Sequence, residues 1–172
     1  MKARILLLLV IICSQFSLFA QRTIPPTDAF QVLGAVENPT TFTMAAFDSF
    51  PATKLPNLVV YNHKGEIKDT LTGLAGVPLQ RVLASIQFKY EKPRDLNEFY
   101  FVMTASDGYK VVCSWNELYN TEAGKHFYII TEMEGKKLRA LDQRMIFLAA
   151  GDLKTGRRYI KGLEKIEVRR VQ

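Results

Sequence analysis

The residues able to do chemistry fall in a few short segments. Gly156-Arg157-Arg158-Tyr159-Ile160-Lys161-Gly162-Leu163-Glu164-Lys165 carries four cations in a run of ten residues. A guanidinium grips phosphate oxygens in a planar fork, and an ammonium supplies a compact point charge. A run of this kind can therefore hold an anion. The same four cations also suit a solvated basic face on a turn and edge strand, and the sequence leaves both readings open. His63 stands in Asn62-His63-Lys64-Gly65, at a hairpin tip. Its imidazole can bind a metal or hydrogen-bond a ligand. The other histidine, His126, is distant in the chain, and neither has a partner at a metal-ligand spacing. In Asp107-Gly108-Tyr109, the first two residues tolerate turn geometry and the tyrosine plants a ring on a sheet.

Other constellations are missing. The chain has no G-x-S-x-G elbow, no H-E-x-x-H and no G-x-x-x-x-G-K phosphate loop. Its carboxylates are scattered, with no evident acid/base pair. Cys113 lies in Val111-Val112-Cys113-Ser114-Trp115, a strand running into a turn, where a free cysteine behaves as a small buried hydrophobe.

Three segments together resemble the molybdopterin-binding oxidoreductase domain, the fold of the sulfite-oxidase family. They are Leu74-Ala75-Gly76-Val77-Pro78-Leu79-Gln80-Arg81-Val82-Leu83, then Ala105 to Val112 around Asp107-Gly108-Tyr109, then Gly156 to Val168. The resemblance runs from about Phe30 to Val168. It implies an α+β fold of β-rich mixed sheets with short helices. It also implies a pterin and its phosphate beside Arg158 and Lys161, with His63, Asp107 and Tyr109 near the same pocket. Active members hold molybdenum through a cysteine thiolate, a soft ligand suited to a redox metal. That cysteine would precede Gly76, and the stretch from Leu58 to Glu66 has none. Cys113 follows the Asp107 segment and is on the wrong side of the chain to replace it. A tryptophan usually follows the family's lysine, whereas Gly162 follows Lys161 here. The nearest resemblance is to small exported relatives built from this one domain, which show an Asn/Asp-His turn without the cysteine.

The first residues explain "exported". Met1-Lys2-Ala3-Arg4 is basic, Ile5 to Ile12 is apolar, and Phe19-Ala20 offers a small residue at a cut. This is the layout of a secretory signal. The apolar run is shorter than the roughly 20 residues that cross a bilayer. Cleavage after Ala20 is expected, although Leu18 is an imperfect neighbour. Cys13 follows Ile11 and Ile12 instead of the small residues a lipoprotein signal wants. The signal has no arginine pair, so it is not the twin-arginine kind that exports folded, cofactor-loaded proteins. Losing residues 1–20 removes Lys2 and Arg4, so the net charge falls from +6 to +4 and 152 of the 172 residues remain. That length makes one ordinary domain, and its modest charge serves solubility first. Anionic ligands or envelope proteins are the expected partners, and nucleic acid is not.

The remaining pattern describes what must position these residues. Residues 21–29, with Pro25-Pro26, form an extended lead-in, and residues 30–172 form the domain. Phe30 to Val36 has strand character, Thr41 to Met44 begins a second element, and Ala45 to Phe50 is a helical turn. Leu58 to Asn62 and Ile67 to Thr72 make a hairpin. Pro78 opens a helix whose apolar face is Leu79, Val82, Leu83 and Ile86. Phe99 to Thr104 is a continuous apolar run, expected as a central strand buried on both faces. Asp107-Gly108 turns it back. Ser114 and Glu117 are spaced as a capping box. Phe127 to Thr131, Arg144 to Ala149 and Ile166 to Val168 complete the strands.

Three functions fit this reading. The first is an exported binding module with an anionic pocket and no molybdenum catalysis. The second is a molybdopterin-dependent oxidoreductase acting on a small oxyanion or sulfoxide. The third is an envelope structural or interaction protein.

Overall fold

The computed structural model describes residues 24–171. The expected signal and the first residues of the lead-in lie outside the described residues. Thirteen strands and two short α-helices are present among the described residues, joined by several 3-10 turns.

Alternating apolar residues build the first sheet. In β1 (Ala29–Gly34), Phe30 and Val32 point into the core. β2 (Thr40–Thr43) pairs with it antiparallel, setting Phe42 opposite Phe30 with the rings stacked 5.3 Å apart. β1 also runs parallel to β13 (Leu163–Arg170), with Val32 opposite Ile166. β13 pairs antiparallel with β7 (Phe99–Ala105), which pairs with β8 (Lys110–Ser114) through the Asp107-Gly108 turn. The order is β2-β1-β13-β7-β8. As its unbroken apolar run predicts, β7 is an inner strand and buried on both faces, from Phe101 through Ala105.

The second sheet has the order β12-β11-β9-β6-β3. Its strands are β3 (Thr53–Lys54), β6 (Ala75–Pro78), β9 (Phe127–Met133), β11 (Ile146–Ala149) and β12 (Tyr159–Ile160), with β10 (Lys136–Lys137) pairing to the end of β9. β11 is buried at every position, and Phe127 and Phe147 meet edge-to-face at 5.7 Å. One apolar cluster joins residues of both sheets, with Phe30, Phe99, Phe101, Met103 and Ile129 fully enclosed. Burying a side chain of this size stabilises the fold by roughly 1.5–3 kcal/mol. The architecture is α+β, with β-rich mixed sheets and short helices.

Two details differ from the sequence reading. Pro78 closes β6 and precedes the helix instead of entering it, and α1 (Leu79–Val82) tightens at once into a 3-10 turn over Leu83–Ser85. The apolar face is nevertheless the expected one, since Leu79, Val82, Leu83 and Ile86 are all buried. In α2 (Trp115–Tyr119), Ser114 accepts from the backbone N–H of Glu117 at 2.9 Å, as a cap should. The Glu117 carboxylate does not return to Ser114 and instead binds Arg158.

β4 (Leu58–Tyr61) and β5 (Ile67–Leu71) form a separate two-stranded hairpin. The turn over Thr155–Arg158 holds it in place. The buried Thr155 hydroxyl donates to the Val59 carbonyl at 2.7 Å and accepts from the Tyr61 N–H at 3.4 Å. Gly156 sits so close that a Cβ there would lie 2.3 Å from the Tyr61 carbonyl oxygen. The lead-in is pinned across the start of β13. Ser106 Oγ donates to the Pro25 carbonyl at 2.6 Å, and Thr27 Oγ1 donates to the Leu163 carbonyl at 2.9 Å.

Gly162 lies under that lead-in with φ of +65°, and a Cβ there would fall 2.7 Å from Ser106 Oγ and 2.8 Å from the Pro25 oxygen. A Gly162→Ala substitution should therefore destabilise the protein by about 1–3 kcal/mol, from left-handed backbone strain and displacement of the lead-in. Chemical denaturation of the two proteins measures this, and equal midpoints would refute the account of that contact.

Candidate functional site

The hairpin, the Thr155–Arg158 turn and the β7–β8 turn enclose a cavity of about 460 Å³. Asn62 shapes the hairpin tip. Its side-chain oxygen accepts from the Lys64 and Glu66 N–H groups at 2.9 and 3.0 Å, and its amide donates to Glu66 at 2.8 Å. His63 thereby lines the cavity mouth. Asp107 and Tyr109 line another side. The Asp107 carboxylate accepts from the Tyr109 N–H at 2.9 Å, which shapes the turn. The Tyr109 hydroxyl donates to the Arg157 carbonyl at 2.5 Å, tying the β7–β8 turn to the Thr155–Arg158 turn.

Lys161 completes the set. Its ammonium lies 5.2 Å from the centre of the Tyr159 ring, a cation–π placement. Burial lowers its pKa below the usual lysine value, and the neighbouring Lys68 charge pushes the same way, against Asp69 and Glu134. Burial also raises the Tyr159 phenol, which donates to Met133 Sδ at 3.6 Å. Four of the residues singled out from sequence, His63, Asp107, Tyr109 and Lys161, thus share one cavity.

Arg158 does not line it. Its guanidinium makes a two-pronged bond to Asp152 and a third bond to Glu117, at 2.5–2.6 Å, while stacking 4.7 Å from the centre of the Phe127 ring. Those bonds, Asp152 first, hold its pKa above the ordinary arginine value against the effect of burial. A guanidinium whose fork is already filled by carboxylates has little left for a phosphate. Its neighbour Arg157 is the arginine that lines the cavity.

Sequence reasoning missed Arg157, Lys68, Tyr61, Tyr159 and Asp69 in the lining. Arg157 was visible as part of the basic run. Lys68 and Asp69 carried no local signal, because only the docking of the β4–β5 hairpin brings them in. The lead-in residue Ile24 also lines the cavity beside Gly162, at the position that follows the lysine.

The donor set decides what can sit here. Lys68, Arg157 and Lys161 suit a phosphate or another oxyanion, while Tyr61, Tyr109 and Tyr159 offer ring faces and edges to a planar body. No cysteine lines the cavity. Cys113 is 3% exposed on β8, and burial, with Glu117 beside it, pushes its thiol up to about 12. It is a neutral thiol away from the cavity. The lining therefore fits an oxyanion and does not fit a metal held by a protein thiolate. No cluster of three metal-ligating side chains occurs among the described residues.

No family model and no curated protein sequence matches this chain. Among solved structures, the chain is similar to the sulfane dehydrogenase SoxCD from Paracoccus pantotrophus, with a TM-score of 0.60 and 15% identity. The match covers 81% of this chain and 37% of that one, so this chain spans well under half of its neighbour's length. The likeness shows the fold: this chain has a distant molybdopterin-oxidoreductase-like fold of the sulfite-oxidase type.

Removing the Arg158 charge should leave Asp152 and Glu117 facing each other, half-buried and unpaired. An Arg158→Met variant should lose roughly 3 kcal/mol of stability and yet keep the cavity's anion affinity within about twofold, since it contributes no lining atom. Thermal denaturation and titration with inorganic phosphate check the two halves separately. Cys113 should resist a thiol-specific disulfide reagent in the native protein and react fully in guanidinium. Rapid native labelling would place it at the surface instead.

Proposed function

We propose that this chain is an exported binding domain that holds a small oxyanion-bearing ligand in the cavity between the β4–β5 hairpin and the Thr155–Lys161 segment. The observation that carries the reading is the convergence of Lys68, Arg157 and Lys161 on a cavity whose lining has no thiolate. Asp69 and Asp107 offset part of that charge. Selectivity then favours a ligand whose negative charge lies close to Lys161. Export rests on the basic start and short apolar run of residues 1–20.

His63 at the mouth can donate a hydrogen bond to the same ligand, and the tyrosine rings can flank a planar group. Asp107 braces the β7–β8 turn, and Tyr109 ties that turn to the one that carries Arg157. The fold likeness to a sulfane dehydrogenase supports, at the level of fold alone, a second reading as a molybdopterin-dependent oxidoreductase.

Purified protein from its native host, assayed for molybdenum by elemental mass spectrometry and for pterin by fluorescence, separates the two. Stoichiometric metal and pterin would overturn the binding-module reading. For the binding site itself, inorganic phosphate and sulfate should bind measurably by calorimetry. Lys161→Ala should weaken that binding about tenfold or more, the size expected for a charge-assisted contact. Affinity should fall as pH rises through the titration of Lys161, because the anion loses its cationic partner. That fall should begin below the pH where an ordinary lysine titrates, since the Lys161 pKa is lowered. Unchanged affinity in Lys161→Ala would remove this residue from the site.

A further inference from the structure

The lead-in supplies one wall of the cationic cavity. Residues 24–28 cross the fold beside the Gly162 bend, and bonds from separate elements hold them there. Ser106 Oγ donates to the Pro25 carbonyl at 2.6 Å, and Thr27 Oγ1 donates to the Leu163 carbonyl at 2.9 Å. The Met44 N–H donates to the Asp28 carbonyl at 3.0 Å, and Arg144 Nε donates to the Asp28 carboxylate at 2.6 Å. Pro25 and Pro26 have no N–H to satisfy and a fixed φ, so the stretch stays extended without a neighbouring strand. A Cβ at Gly162 would lie 3.3 Å from Ile24 Cγ2, so the bare glycine leaves room for the Ile24 side chain.

Ile24 differs from the rest of the lining. The other aliphatic residues there, Val60 and Ala105, are 2% and 3% exposed and have almost no surface left to offer. Ile24 is only partly buried. Apart from Gly156, the remaining lining residues are charged, polar or aromatic. The cavity thus combines the cations Lys68, Arg157 and Lys161 with one accessible aliphatic surface. Its volume of about 460 Å³ is in the range of sites for small organic molecules. A bare tetrahedral oxyanion would fill a small part of it and leave Ile24 facing water. An apolar arm on the anion would take that surface out of water.

We infer that the ligand of the cationic cavity is an oxyanion carrying a short aliphatic arm, and that Ile24 is the residue that selects for the arm. The inference rests on the cavity's reading as an oxyanion site. The cations hold the head, and Ile24 covers the arm. Ser106 is a positioning residue: it lies outside the lining and keeps the lead-in against the cavity.

Butyl phosphate and inorganic phosphate are the probes, each titrated into the purified protein by calorimetry, and the readout is the ratio of their affinities. Butyl phosphate should bind the wild-type protein about tenfold more tightly, the size expected for a few buried methylene groups. Ile24→Ala should bring the two affinities within about twofold of each other, and Ile24→Leu should restore the preference. Ser106→Ala should shrink the preference severalfold without removing a lining atom, and it carries the test if Ile24→Ala fails to fold. Lys161→Ala should weaken both anions and keep their ratio. Near-ultraviolet circular dichroism checks folding, and a misfolded variant loses both anions, not the preference alone. Equal affinity of the wild-type protein for the two anions would overturn this inference and leave the oxyanion site standing. So would a preference that survives Ile24→Ala. Failure of both anions to bind the wild-type protein would overturn the oxyanion site and this inference with it.

Discussion

The candidate site depends on one close contact, between the Thr155–Arg158 turn and the backbone of β4. A two-stranded hairpin has little stability of its own in water. β5 has only Leu71 fully buried, so the hairpin contributes little core of its own. What fixes its position is Thr155, which satisfies backbone groups of Val59 and Tyr61, and Gly156, whose missing side chain lets the two backbones touch. Without that contact Lys68, Asp69 and His63 would have no fixed relation to Arg157 and Lys161. The cavity is thus a consequence of a threonine outside its lining and a glycine that lends it only backbone.

Arg158 belongs to the same device, on its far side. The turn that presents Arg157 to the cavity sends the next side chain inward, where Asp152 and Glu117 neutralise it over the Phe127 ring. Taking a charge out of water is costly unless hydrogen-bonded partners replace the solvent, and here three bonds do so. The pairing anchors the turn to α2 and to the loop after β11. Tyr109 ties the same turn to the β7–β8 hairpin from the solvent side. Three separate elements therefore converge on four residues. The basic run reads as neither wholly ligand site nor wholly solvated face: one arginine is internal, and another lines the cavity.

Much of this fold was legible where the cause is local. The unbroken apolar run of β7 gave a doubly buried strand, Asp107-Gly108 gave the hairpin, and Ser114 gave the helix cap. β3, β10 and β12 are two residues long, too short to show any period, and exist because a neighbouring strand pairs with them. The site was legible in part for the same reason. His63, Asp107, Tyr109 and Lys161 sit in motifs with local character, whereas Lys68 and Tyr61 enter only through the docking of the hairpin. Choosing Arg157 over Arg158 required knowing which guanidinium is already paired. The partner carboxylates, Asp152 and Glu117, settle that, and Glu117 lies 41 residues away in sequence.

Fold and chemistry part company at a single atom type. The fold likeness to a sulfane dehydrogenase persists at 15% identity, because a packed core tolerates wide substitution while volume and pattern persist. A thiolate ligand has no such tolerance, since no other side chain supplies a soft anionic sulfur to a metal. Cys113 cannot stand in, because it is buried on β8 outside the cavity lining, where burial also stabilises the protonated thiol. What lines the cavity is cationic charge from Lys68, Arg157 and Lys161, which suits oxyanions as a class. The proposed anion recognition needs only those cations and no thiolate.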